Sequence, residues 1–293
     1  MKISGVILSG GVSKRFQGDK ALALVDGELM VRRVAKAMFS AVGDVWVSVK
    51  DERRGEMLVK ACEPYVKGFV VDRYVAGPLS GLLTAAEKIE ADAYLTCSND
   101  VPWIRGESLE KIATLFKQQL PSALSVVWAD GSVETLIQTV QRSTVADYRS
   151  NLLKGRESLL RPSDILRSSE KLLLVYGGNV TQDPYEFSNV NTSEDLTHPK
   201  PRGVYRGLVK DNIILNPSQH FTTAVQHYLG GKIFEAGLEY FSESIHFLAH
   251  GVFHLAEHAA SDSVKMFETA GSNEASLVAN RFHRSIRSLM QMR

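Results

Sequence analysis

Short β-branched runs alternate with longer helical patterns over the first 200 residues, and this alternation constrains the fold more than any other feature. The runs lie at residues 3–8, 45–49, 69–72, 93–97, 123–128, 136–140 and 172–176. Apolar residues at helical spacing occupy 30–41, 53–62, 78–89, 106–119 and 143–153. Strands alternating with helices of this length predict right-handed βαβ units, an α/β class and a mostly parallel sheet. Ligands of such sheets bind beyond the carboxyl ends of the strands. The loops after Leu8, Val49, Asp72 and Cys97 are therefore the places to look.

The texture changes near residue 197. Thr197-His198-Pro199-Lys200-Pro201-Arg202-Gly203 combines proline, glycine and charge, which suits a linker. Beyond Pro217 the pattern is helical, near 218–229, 232–260 and 274–290, with Gly251 as a candidate break in the long segment. The expected division is an α/β domain over residues 1–200 and an all-α helical domain over 201–293. With 34 Lys and Arg against 33 Asp and Glu, no net field draws the chain to nucleic acid or to an anionic membrane. No run reaches about 18 apolar residues, so no membrane span is expected. The apolar start, residues 3–8, is too short for a signal peptide and reads as a buried strand. Two cysteines, Cys62 and Cys97, cannot build a disulfide framework or a four-Cys zinc site. They read as buried thiols in a reducing, cytoplasmic setting.

The strongest local signal follows the first run: Leu8-Ser9-Gly10-Gly11-Val12-Ser13-Lys14-Arg15-Phe16-Gln17-Gly18-Asp19-Lys20-Ala21-Leu22. Glycines let the backbone approach a ligand and aim successive N–H groups at an anion. Arg15 can bind phosphate as a fork and Lys20 as a point charge. The spacing fits neither a P-loop nor the G-x-G-x-x-G dinucleotide fingerprint. Gly10-Gly11 alone would read as a solvated turn. The whole constellation, directly after a first strand, reads as a phosphate site.

The run resembles the signature L-x-G-G-x-S-x-R-x-G-x-D-K-A of the molybdenum cofactor guanylyltransferases and their nucleotidyltransferase relatives. Further matches follow in the family's order. Asp72 precedes Gly77-Pro78-Leu79-Ser80-Gly81-Leu82, similar to D…G-P-L-A-G-L. Asn99-Asp100-Val101-Pro102-Trp103-Ile104 resembles C-D-M-P-F-L, and Asn189-Val190-Asn191-Thr192-Ser193-Glu194-Asp195-Leu196 resembles N-V-N-T-P-E-D-L. The resemblance covers residues 1–200. Gln17 stands where the family has glycine, with Gly18 one place later, and Lys50 stands where relatives often carry asparagine.

The resemblance implies a Rossmann-like three-layer nucleotidyltransferase that moves GMP from GTP to molybdopterin with Mg²⁺ and releases pyrophosphate. It implies nucleotide contacts from Leu8, Ser9, Gly10, Gly11, Arg15, Lys20, Asp72, Gly77 and Asp100. Arg15, Lys20 and Asp100 would be catalytic, Asp100 as the metal ligand. Asn189 and Asn191 would lie near the acceptor phosphate, although Asn191 with Ser193 and Asp195 equally suits capping. Lys154, Arg156 and Arg161 are candidates for the acceptor phosphate, with a solvated helix end as the alternative. An anionic phosphate nucleophile requires no general base, in keeping with the lack of histidine before His198. Other readings are a transferase using CTP or another phosphorylated acceptor, and a non-catalytic nucleotide- or cofactor-binding adaptor.

Seven of the eight histidines lie between His220 and His283. His246, His250, His254 and His258 recur at i+4 and share one face if the segment is a single helix. Glu243 and Glu257 share that face, and Leu238, Phe241, Ile245, Leu248, Val252, Leu255 and Ala259 lie opposite. This predicts an apolar face turned to the core and a histidine face turned to solvent or a neighbour. A transition metal or an acidic-pH partner are the sharper readings of the stripe. A target molybdoenzyme or self-association would be the role of the helical part.

Overall fold

The computed structural model describes residues 1–10, 19–74, 77–155, 161–202 and 207–291. Strand β1 (Ile3–Leu8) is followed by a 3₁₀ turn, Lys20–Leu22, the hairpin β2 (Leu24–Val25) and β3 (Glu28–Leu29), and helix α1 (Met30–Val42). Next come β4 (Val45–Val49), α2 (Glu52–Cys62), β5 (Gly68–Val71), α3 (Pro78–Lys88), β6 (Ala93–Ser98) and α4 (Gly106–Gln119). A hairpin of β7 (Ala123–Val127) and β8 (Val133–Gln141) leads to α5 (Arg142–Asp147), which continues into a π turn. Then follow α6 (Ser163–Arg167), β9 (Leu172–Tyr176), α7 (Gly177–Val180) and β10 (Ile213–Leu215). The helical region is α8 (Ser218–Leu229), α9 (Ile233–Ala249), α10 (Phe253–Thr269) and α11 (Asn273–Gln291).

Eight strands form the main sheet in the order β10-β9-β7-β8-β6-β1-β4-β5. Six run the same way. Strands β8 and β10 oppose them, because β8 pairs antiparallel with β6 and β7, and β10 with β9. The reversal at β8 follows from its connection: a five-residue turn closed by Trp128 N to Ser132 O (2.8 Å) joins only antiparallel neighbours. The expected α/β class and mostly parallel sheet are borne out.

Both sheet faces are covered. Ile7, Val47, Leu95 and Val126 pack with Val34, Leu58 and Leu109 of α1, α2 and α4 on one face. On the other, Val6, Tyr94, Val140 and Leu174 join Leu82 of α3 and, in the same core, Phe221, Tyr240, Phe247 and Leu255 of the helical region. The helical region is thus part of the third layer. It also follows a strand, β10, which is only three residues long and left no readable alternation.

The expected single helix over 232–260 is two helices, α9 and α10. His250-Gly251-Val252 separates them, and Gly251 takes φ +73°, a conformation that ends a helix readily only at glycine. Gly231 and Gly271 repeat the device at 20-residue spacing. The expected facing of α9 is also reversed: Leu238 and Ile245 are exposed, while Glu243 is buried. The reason is a fully buried cation. Arg167 of α6 donates to both carboxylate oxygens of Glu243 (2.8 and 2.6 Å) and to Asp262 of α10 (2.7 Å), and stacks 4.7 Å from the Phe221 ring. Arg161 donates to Asp262 as well (2.8 Å). A charge taken out of water needs partners of this kind, and α9 turns its polar face inward to supply one. Among the described residues no helix is long and apolar enough to cross a membrane.

Two outcomes are expected. Replacing Arg167 with Met leaves buried carboxylates without their guanidinium, and chemical denaturation should show a loss of about 3–5 kcal/mol; a loss below about 1 kcal/mol would show that the cluster does not hold the layers together. Asp44, between α1 and β4, is opposed by its own burial but accepts from Lys67 and Ser4, which bring its pKa from the ordinary 3.8 to about 2. A depressed carboxyl stabilises above its unfolded pKa and loses that contribution as pH falls through the folded one. Asp44→Asn should therefore cost roughly 2 kcal/mol at pH 7 and almost nothing near pH 2, measured by urea denaturation against pH.

Candidate functional site

The carboxyl ends of β1, β4, β5 and β6 align at one edge of the sheet, with Leu8 in register with Ser48 and Ser98, and Val49 with Val71. The chain leaving β1 is pinned there. Ser9 N donates to Ser48 O (2.9 Å), Asn99 N to Leu8 O (3.3 Å) and Asn99 Nδ2 to Ser9 Oγ (2.7 Å). Gly11 and Arg15 lie outside the described residues, as does Arg156. The loop re-enters at Asp19, whose Oδ1 accepts from Ala21 N (3.1 Å) and caps the 3₁₀ turn. Arg54, in the first turn of α2, takes both oxygens of Asp19 and reaches Ser9 Oγ (3.5 Å). One guanidinium therefore bridges the departing and returning ends of the loop.

Lys20 and Asp100 meet at this edge, 80 residues apart in the chain, with Nζ 2.8 Å from Oδ2. The other oxygen, Asp100 Oδ1, is buried and has no hydrogen-bond partner among the described residues. The main chain of Asp100 is fixed too, since its carbonyl accepts from Val190 N (2.8 Å). That bond places the segment holding Asn189 and Asn191 against the site. Asn189 lines an adjoining cleft. Asn191 is exposed, and its N–H, with that of Thr192, donates to Asp195 Oδ2 (2.8 Å), while the 3₁₀ turn Glu194–Leu196 carries no side-chain cap at Ser193. The Asn191 and Thr192 N–H groups outweigh burial and hold the Asp195 carboxyl below its usual range.

Asp72 ends β5 beside Gly10. A Cβ at Gly10 would stand 2.5 Å from Asp72 Oδ2, so only glycine permits this approach. Asp72 accepts from Ser48 Oγ, yet burial dominates and pushes its pKa up, against the pull of that bond and of Lys50. Gly77 (φ +64°) opens α3 with Pro78 behind it, at the first helical position where proline's missing N–H is harmless. Arg161 is committed to Asp262 and to the carbonyl of His258 (3.3 Å), which removes it from the acceptor candidates.

The histidine stripe does not form one face. His246 and His250 lie at the end of α9, with ring centroids 4.9 Å apart. His254 Nδ1 meets Val133 O (3.0 Å) and His258 Nδ1 meets Ser163 Oγ (2.7 Å), both turned to the α/β layers. Burial lowers the pKa of His254, and that of His258 to about 2. Among the described residues no group of three or more His, Cys, Asp or Glu is placed to hold a metal. The edge residues not foreseen are Ser48, Arg54 and Asn99. Asn99 stands in a motif already noticed and Ser48 two residues before Lys50 in the segment after the second strand, while Arg54 carries no local signal.

A family model described as the MobA-like NTP transferase domain matches residues 5–179. A Bacillus licheniformis protein described as a probable molybdenum cofactor guanylyltransferase is 29% identical over 202 residues, covering 69% of this chain and 98% of that protein. One from Thermococcus kodakarensis is 26% identical over 198 residues, covering 67% and 94%. The solved structure of molybdopterin-guanine dinucleotide biosynthesis protein A from Archaeoglobus fulgidus shares the fold, with a TM-score of 0.55 at 18% identity over 68% of this chain and 96% of that one.

The contact between Gly10 and Asp72 is directly testable. In Gly10→Ala the methyl group drives Asp72 off Ser48, an overpacking cost of roughly 1–3 kcal/mol. Urea denaturation should show that loss; wild-type stability would mean that this close approach does not constrain the edge.

Proposed function

This chain belongs to the MobA-like NTP transferase domain family, and on that premise we propose that it transfers GMP from GTP to the phosphate of molybdopterin and releases pyrophosphate. Its class is that of a nucleotidyltransferase. The observation that carries the finer reading is the convergence of Lys20, Asp100 and the glycine-bearing end of β1 at one sheet edge. The names of its relatives support the guanylyl donor and the pterin acceptor. Residues 1–200 would form the catalytic unit and 201–293 a helical addition to it.

Asp100 fits a hard divalent cation. Its Oδ1 is a buried carboxylate oxygen without a partner among the described residues, at the carboxyl end of a parallel strand. Mg²⁺ takes one or two carboxylates and completes its shell with water and substrate phosphates, so a lone Asp suffices. Bound there, the ion would supply Lewis-acid stabilisation of the phosphate oxygens. Lys20 would hold the triphosphate and offset charge on the leaving pyrophosphate. Gly10 would let the phosphates approach the backbone, and Asp72 would hydrogen-bond the nucleoside. Asn189 would orient the acceptor phosphate for in-line attack on the α-phosphorus. Catalysis of this kind rests on positioning and charge neutralisation.

The test is pyrophosphate release with Mg²⁺ and each of GTP, CTP, ATP and UTP, with and without molybdopterin. GTP with molybdopterin is expected to be turned over fastest. A CTP preference would overturn the guanylyl reading, and no turnover with any nucleotide would overturn the transferase reading. Asp100→Asn should lower the rate at least about a hundredfold with unchanged circular dichroism; an unchanged rate would remove Asp100 from the metal role.

A further inference from the structure

An apolar strip crosses two helices of the helical region, beyond the family match at residues 5–179. On α9, Leu238, Phe241 and Ile245 recur at i, i+3 and i+7, the spacing of a seam that packs on another helix. Leu238 is 47% and Ile245 48% exposed. On α11, Val278, Phe282 and Leu289 recur at i, i+4 and i+11 and follow the same period, with Val278 60% exposed. The two stripes are contiguous, because the rings of Phe241 and Phe282 lie 5.0 Å apart. The residues that these helices bury are others, Ala236, Tyr240 and Phe247 on α9 and Ala279 and Ile286 on α11. A contiguous apolar surface of this kind, bordered by charge, marks an interaction site.

The charge differs on the two sides of the strip. Helix α9 carries Glu235, Glu239 and Glu243 and no Lys or Arg. Glu243 is buried on Arg167, whereas Glu239 meets His220 of α8 (2.8 Å) and so lies on the flank toward α8. Helix α11 carries Arg281, Arg284 and Arg287 and a single acid, Glu274 in its first turn. Phe282 faces α9, and the next residue, His283, meets Glu257 of α10 (2.6 Å). At about 100° per residue, Arg281 therefore falls on the other side of Phe282, away from α10, with Arg284 farther round. Acidic residues border one long side of the strip and arginines the other. Helices α9 and α11 run the same way, each joined to α10 by a tight turn. Counted from the contact of Phe241 with Phe282, Glu239 and Arg281 stand at nearly the same level along them.

We propose that this strip is the interface of a homodimer in which α9 of one copy lies against α11 of the other. A twofold axis along the strip produces that pairing, and it sets the acidic flank of each copy on the basic flank of the second. An axis across the strip would set α9 on α9 and oppose like flanks, which is costly at an interface. Symmetry makes the contact of Glu239 with Arg281 twice. The four helices close a bundle that buries both stripes, as seams of this spacing require. A foreign apolar helix would cover the strip alone, whereas a second copy also matches the charge of both flanks.

Sedimentation velocity of the full chain over a concentration series tests this. The wild-type chain is expected to be a dimer at micromolar concentration. Ile245→Glu, at an exposed position, should give a monomer with an unchanged circular dichroism spectrum, and Leu238→Glu is the second variant should the first fail to fold. Glu239→Arg and Arg281→Glu should each weaken the dimer by about tenfold or more, because each change is felt at two sites. Mixed in equal amounts, these two charge variants should recover the wild-type dimer, since each supplies the charge that the other lacks. A wild-type monomer throughout the series overturns the proposal and leaves a different chain as the occupant of the strip. A dimer that survives both Ile245→Glu and Leu238→Glu puts the interface elsewhere and overturns it too. Charge variants that leave the dimer unchanged, or that stay apart when mixed, overturn the pairing of α9 with α11.

Discussion

A fully buried arginine sets how the two parts of this chain meet. Arg167 sits in a short helix of the α/β part, and its carboxylate partners, Glu243 and Asp262, come from the helical region. An isolated guanidinium in that position would be untenable, because desolvation of a charge costs several kcal/mol. The helical region must therefore dock in one orientation, with α9 and α10 turned so that their acidic residues face inward. Apolar packing alone would tolerate sliding of the helices. The ion cluster, with the Phe221 ring stacked on the guanidinium, fixes rotation and register together.

That orientation has consequences at the sheet edge. Docked this way, α10 presents His254 to β8, and α11 brings Met290 over the same strand. The nucleotide end of the site depends on a second set of constraints: parallel strands ending in register, and Arg54 holding Asp19 and Ser9 at the two ends of the loop. Lys20 and Asp100 converge because the 3₁₀ turn after Asp19 and the end of β6 are each fixed by backbone hydrogen bonds. The Lys20–Asp100 pair and the cleft beside it thus lie along one edge, one built by the α/β part alone and the other shared with the helical region.

Much of this was legible in the sequence. Strands buried on both faces show as continuous β-branched runs, which is why β1, β4 and β6 were readable without any partner in view. Lys20, Asp72 and Asp100 were legible through their motifs. Arg54 was not, because an arginine in the first turn of a helix resembles any solvated charge until its tertiary partner is known. The facing of α9 was misread for a related reason. Periodicity describes a helix against a generic apolar core, and it cannot register that Glu243 has a buried partner 76 residues earlier in the chain. Strand β10 was missed because three residues carry no period, and the break at Gly251 because a single glycine in a helical pattern is ambiguous until its φ is known.

On the function proposed above, transfer at the α-phosphorus is direct, with an acceptor phosphate as nucleophile and no covalent enzyme intermediate. Lys20 supplies positive charge at that edge and Asp100 a carboxylate suited to a cation, while Cys97 is buried with its thiol pKa pushed up by burial, and His254 and His258 hold Nδ1 against Val133 O and Ser163 Oγ. The most direct measurement is the stereochemical course of transfer from GTP made chiral with sulfur at the α-phosphorus, read by phosphorus NMR of the dinucleotide product. A single in-line displacement predicts inversion of configuration. Retention would reveal two displacements through an enzyme-bound intermediate and would contradict this account of the site.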